Sequence, residues 1–161
     1  MKKPSMRSLP ALALLATLFS SSLLLGAPAR AALGGSVDSV AADTGALRGQ
    51  LRVTGFVDYD MHQISAGQLV VNEYVTRSGQ VFAITWHGPL PPNLQQLLGS
   101  YFPRFQTAAA AAHDANPGIH RIFRLEQSDL IIRQAGHLRA FGGIAYLPAL
   151  VPSDVAIGQL Q

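Results

Sequence analysis

His62, His87, Asp60 and Glu73 are the side chains of this sequence whose types and spacing could do chemistry. Two imidazoles and a carboxylate can hold a divalent metal when their donors converge about 2 Å from one point. The same groups can move a proton in a small hydrolase. Whether they meet is a question of strand register. A three-residue loop at Ser65-Ala66-Gly67 pairs Met61 with Val71 and Tyr59 with Glu73, and a two-residue loop at Ser78-Gly79 pairs Val71 with Trp86 and Val75 with Phe82. Side chains alternate along a strand. One face then collects Val57, Tyr59, Met61, Val71, Val75, Phe82, Ile84 and Trp86, and the other Asp58, Asp60, His62, Asn72, Tyr74, Thr85 and His87.

In that register His62, Val70 and His87 share an outer row, with Asp60 and Asp58 running up from His62. Val70 separates the imidazoles, so convergence on a metal needs twist, and an ordinary solvated sheet face is the competing reading. Glu73 breaks the pattern by falling on the apolar face between Tyr59 and Ile84. A buried carboxyl without partners is costly. It is either a general acid or base in a pocket or a tether bonded to the Tyr59 hydroxyl or to an arginine.

Other chemistries are excluded by absence. The chain has no cysteine, so disulfides, thiol nucleophiles, thiolate metal clusters and a lipid-modified N-terminal cysteine are ruled out. No lysine follows Lys3, which removes Schiff-base chemistry and a P-loop lysine. His113, His120 and His137 sit at expected loops or turns and form no HExxH spacing. Neither G-x-S-x-G nor a Gly-rich phosphate loop occurs. No cofactor is expected.

The elements that must position these residues follow from punctuation and periodicity. From Arg52 to Trp86 the pattern is three strands rich in Val, Ile, Tyr, Phe and Thr. Gly88-Pro89-Leu90-Pro91-Pro92 ends the sheet, and Asn93 is placed to cap a helix. Leu94, Leu97, Leu98, Tyr101 and Phe105 recur at helical spacing, with a kink or break expected where Pro103 clashes one turn back, near Gly99. Three more strands follow, 121–126, 129–135 and 138–147, turning at Gln127-Ser128 and Gly136-His137. Phe123, Leu125, Leu130, Ile132 and Phe141 share one face, and Gly142-Gly143 marks a bulge or a close backbone approach. The fold class is α+β: an antiparallel β-β-β-α-β-β-β sheet against one kinked or broken amphipathic helix. The expected organisation is a signal over 1–31, a flexible lead-in over 32–49, a single domain over 50–152 and a C-terminal tail over 153–161.

Residues 1–31 have the three parts of a cleaved secretory signal: Lys2, Lys3 and Arg7, then the apolar run Leu9–Leu25, then Gly26, Pro28 and small residues. The A-x-A rule allows a cut after Ala29 or after Ala31; the second leaves Ala32 as the new N-terminus. An uncleaved anchor is the competing reading, but the run is interrupted by Thr17 and Ser20–Ser22 and is shorter than the roughly 20 apolar residues a spanning helix needs. The signal carries four of the twelve basic residues, so cleavage turns a net charge of +3 into −1. A near-neutral domain has no electrostatic footprint for nucleic acid or anionic lipid, and no later stretch is long and apolar enough to span a membrane.

The chain resembles the exported bacterial family called domain of unknown function 2844. The resemblance is carried by Ala32–Gly35, VNEYV at 71–75, SGQVFAITW at 78–86, Gly88-Pro89, LQQLLGSYFP at 94–103 and GHLRAFGGIAYLPALVP at 136–152. It implies an envelope or periplasmic setting in Gram-negative bacteria and brings no activity and no catalytic residues. The expectation is a non-catalytic periplasmic or extracellular accessory or binding protein, in contact with an envelope protein or a small apolar ligand. Two alternatives stand beside it: a small hydrolase or metal-dependent enzyme using the His/Asp/Glu groups, and a structural subunit of a secreted assembly pairing through an edge strand.

Overall fold

A computed structural model gives the fold and describes residues 33–115 and 122–160. The signal and its candidate cleavage residues Ala29, Ala31 and Ala32 lie outside them. The elements are α1 (Asp38–Leu47), β1 (Gln50–Gly55), β2 (Tyr59–Ala66), β3 (Leu69–Thr76), β4 (Val81–Gly88), α2 (Leu94–Leu98), α3 (Phe102–Ala115), β5 (Ile122–Glu126), β6 (Ile131–His137) and β7 (Ala140–Tyr146). The strands form one antiparallel seven-stranded sheet in the order β1-β2-β3-β4-β7-β6-β5. Two meanders, β1–β4 and β5–β7, therefore meet at a single seam between β4 and β7, and α2 and α3 cross between them.

The helix breaks where its sequence says it should. Asn93 caps α2, its side chain accepting from the Gln96 amide. Gly99 adopts φ 51°, a 3-10 turn follows over Gly99–Tyr101, and Pro103 then falls in the first turn of α3, where its missing donor costs nothing. Leu97 and Leu98 are buried on the sheet, and Phe105 meets Phe123 edge-on at 5.1 Å between ring centroids.

Both faces of the sheet are covered. The three helices close the first over Ile64, Val71, Ile84, Trp86 and Ile132. On the second, Tyr74, Phe82, Ala83 and Tyr146 pack beneath Leu150, Val155, Ile157 and Leu160. Residues 153–160, expected as a tail, are thus a lid on the sheet. Residues 33–49, expected as a flexible lead-in, are built into the fold as well. Leu33 is buried and its amide donates to the Leu97 carbonyl at 3.0 Å; Ser36 bridges Gln80; α1 packs Val40 and Leu47 into the core.

This double covering is why the expected register of the first meander needs correction. The first expected strand folds back at Phe56-Val57-Asp58 into β1 and β2, giving seven strands rather than six and leaving Val57 88% exposed at the turn. Arg77 pins that turn by donating to the carbonyls of Phe56 and Val57 and to Asp60. The next turn is Gly67-Gln68, so Ile64 pairs with Val71, Met61 with Tyr74, His62 with Glu73 and Tyr59 with Thr76. The slip from the expected pairing is odd, and an odd slip turns every β2 side chain to the other face. Ile64 is then buried under the helices, while Tyr59 and Met61 join Tyr74 and Phe82 on the second face. A bulge between β3 and β4 pairs Val75 with Val81 and sends Phe82 to the second face. In the second meander the β6–β7 turn is Leu138-Arg139 rather than Gly136-His137. That slip is even, so Phe123, Leu125, Leu130 and Ile132 share the helix face as expected.

Gly143 is the close approach that the Gly142-Gly143 pair foreshadowed. A Cβ there would overlap the indole of Trp86 and lie 2.8 Å from the Arg133 carbonyl oxygen. Gly143→Ala is expected to cost about 1–3 kcal/mol of stability through overpacking. Chemical denaturation measures the loss, and the emission of Trp86, the chain's single tryptophan, should shift to the red. Wild-type stability in the variant would show that the indole does not lie across β7.

Candidate functional site

The helix-covered face holds a pair of acids. α1 presents Val40, Asp43 and Leu47 on one stripe, and β3 presents Val71, Glu73 and Val75 toward it. Asp43 and Glu73 are both 0% exposed. Gln96 of α2 donates its side-chain amide to Asp43 Oδ1. No other donor among the described residues reaches Asp43 Oδ2 or either oxygen of Glu73. Their hydrogen bond must therefore come from a proton kept on one of the two carboxyls. Burial, the Asp43 charge and the hydrogen bond to it push Glu73 up to about 9. Burial also raises Asp43, with the hydrogen bonds from Gln96 and Glu73 pulling the other way. Both acids are raised, so the pair keeps a proton between them.

The sequence-derived candidates are divided by the sheet. His62 is opposite Glu73 in register, where Tyr59 was expected; Ile84 does flank Glu73 on the other side. His62 is buried, and its Nδ1 has no partner among the described residues. Burial lowers its pKa, partly offset by Asp60, which favours the neutral ring. Asp60 pairs with Arg77 at 3.0 Å near the surface. His87 lies on the other face and is exposed, so the two imidazoles do not converge. Among the described residues no three His, Asp or Glu side chains are grouped to hold a metal ion. The acid pair has no exposed surface for a substrate to reach, and it works as a clamp holding α1 and α2 on the sheet.

Sequence reasoning missed Asp43 and Gln96. Asp43 sits in an Ala- and Gly-containing stretch with little amphipathic contrast; the one signal was an acid in step with Val40 and Leu47.

The second face is open over the seam. Two register rows cross it there: Thr85, Ile144, Arg133, Arg124, and His87, Gly142, Ala135, Ile122. The small Gly142 and Ala135 leave a hollow of about 730 Å³, walled at one end by Ile157 and Leu160. It opens past His87 and Gly142 into a second hollow of about 760 Å³, lined by Pro89, Ala140, Phe141 and Arg139. The inner border is a polar ladder in which Gln63 donates to Asn72 at 3.2 Å and Asn72 to Thr85 at 3.3 Å. Each hollow, apolar with a few polar groups, has a volume in the range of small-molecule sites, which run to about 1,000 Å³.

A family model described as "Protein of unknown function (DUF2844)" matches residues 29–160. No curated protein and no solved structure matches the chain.

The acid pair makes stability depend on pH with a definite sign. Native Glu73 keeps, up to about 9, a proton that the unfolded chain releases near its ordinary 4.5. Its contribution is full below the ordinary value and declines as pH rises toward 9, by at most about 1.4 kcal/mol per pH unit. Glu73→Gln keeps a donor toward Asp43 and has no proton to lose. Urea melts at about pH 5 and about pH 8 should give the variant a flatter profile and the higher stability at the alkaline end. An unchanged slope would mean that the two carboxyls share no proton.

Proposed function

The chain belongs to the DUF2844 family of proteins of unknown function, and we propose that it is an exported, non-catalytic binding protein that works at the groove on the second face of its sheet. The observation that carries this reading is the groove itself, a hollow of about 730 Å³ continuing into another, on a face where nearby positions are sealed by residues 150–160. Support also comes from the acid pair, whose burial leaves it a structural task. Export rests on the signal pattern of residues 1–31, and the setting is the periplasm or the outside of a Gram-negative cell.

A second reading, a subunit of a secreted assembly, is favoured by the free edge of β1. Leu51 and Val53 stand exposed there with no proline, although Arg52 places one charge on the same edge. A mass that stays monomeric at all concentrations in sedimentation would remove it.

Two measurements test the proposal. Precursor expressed in a Gram-negative host should yield a periplasmic or secreted product beginning at Ala32; a membrane-retained product with Met1 intact would refute export. For the groove, a Cβ on Gly142 meets nothing nearer than the Trp86 carbonyl oxygen at 3.4 Å, so Gly142→Leu fills the floor at little cost to the fold. The neutral fluorescent probe N-phenylnaphthylamine should bind the purified protein, and the variant should lose about tenfold or more in affinity at unchanged melting temperature. Equal binding by both proteins would place the probe elsewhere.

A further inference from the structure

We infer that the groove takes a single-chain amphiphile with an anionic head, a fatty carboxylate or alkyl phosphate bound one molecule at a time; this rests on the groove being a binding site. Arg124 and Arg133 are directly opposite on β5 and β6, side by side on the groove face. Like charges in that position repel across the strands. Glu126 answers only one of them: its Oε1 accepts from Arg133 Nε at 3.0 Å and lies 3.0 Å from Nη2 in an ion pair. Among the described residues no acid or other acceptor pairs with Arg124. Two guanidiniums with one carboxylate between them are a site short of one negative charge, on a chain whose net charge after signal removal is −1. Guanidinium forks suit carboxylate and phosphate oxygens.

The remainder of the groove calls for an apolar tail. From the arginine row it runs over Ala135 and Gly142 to Ala140, with Ile122 along one side. From Arg133 to His137 is four residues of strand, roughly 13 Å at the usual rise. A free inorganic anion would leave this stretch unused, and a neutral lipid would gain nothing from the adjacent guanidiniums. An amphiphilic anion satisfies both ends.

The test is displacement of N-phenylnaphthylamine from the purified exported protein by dodecanoate, dodecyl phosphate and dodecyltrimethylammonium, each below its micellar concentration. The two anions are expected to compete about tenfold or more better than the cation, and added salt should narrow the gap. Arg124→Gln, at an exposed position that leaves the fold alone, should abolish the preference while the probe still binds. Glu126→Gln, which frees Arg133, should strengthen anion binding. Equal competition by all three head groups, unmoved by Arg124→Gln, overturns the anionic head and leaves the groove standing. No competition by any of them, with probe binding indifferent to Gly142→Leu, overturns the groove reading itself. Binding to phosphatidylglycerol vesicles with none to monomeric dodecanoate points to a membrane surface and overturns the single-molecule ligand.

Discussion

A proton kept between Asp43 and Glu73 lies at the joint where the first helix meets the sheet. One carboxyl comes from the first helix and the other from the third strand, and burial together with their like charges keeps a proton in the pair. Their bond ties α1 to the sheet beside Val40 and Leu47, and Gln96 ties α2 to the same acid. With those helices seated, Ile64, Val71 and Ile84 are dry, and the register of β2 against β3 follows. The contact that seats the helices also removes the acids from any outside chemistry.

That division explains why a chain with suitable residues for acid–base work does not assemble them. His62, Asp60 and Glu73 lie on the covered side and His87 on the open one. What the open side offers is shape and charge: a floor without side chains at Gly142, two guanidiniums in a row, and a wall of C-terminal residues. Both faces carry a buried core, and the second leaves a stretch over the seam uncovered.

Local signals in the sequence were strong enough to place the α+β class, the break at Gly99–Tyr101, the Asn93 cap and the shared face of Phe123, Leu125 and Ile132. Each depends on neighbours a few residues apart, or on a parity that survives a slip of even length. The burial of Glu73 was legible for the same reason, since it interrupts an apolar run. Its true partner was not, because Asp43 is thirty positions away on a helix whose composition reads as a linker. The β2 register was lost to a different cause. A pattern that separates apolar from polar residues selects a register only when one face is wet. Here Tyr59, Met61 and Tyr74 pack on the second face, so both parities bury apolar side chains and the sequence alone does not choose between them.

The seam between β4 and β7 has a consequence for the order of assembly. Within each meander, pairing closes over short turns, whereas β4 and β7 are brought together only after more than fifty residues of helix and hairpin have been gathered in between. Closing such a loop costs entropy before any contact repays it, so the joint forms late. Thr85 and His87 belong to one half and Arg133 and Arg124 to the other. The hollow they line therefore does not exist until the halves have met.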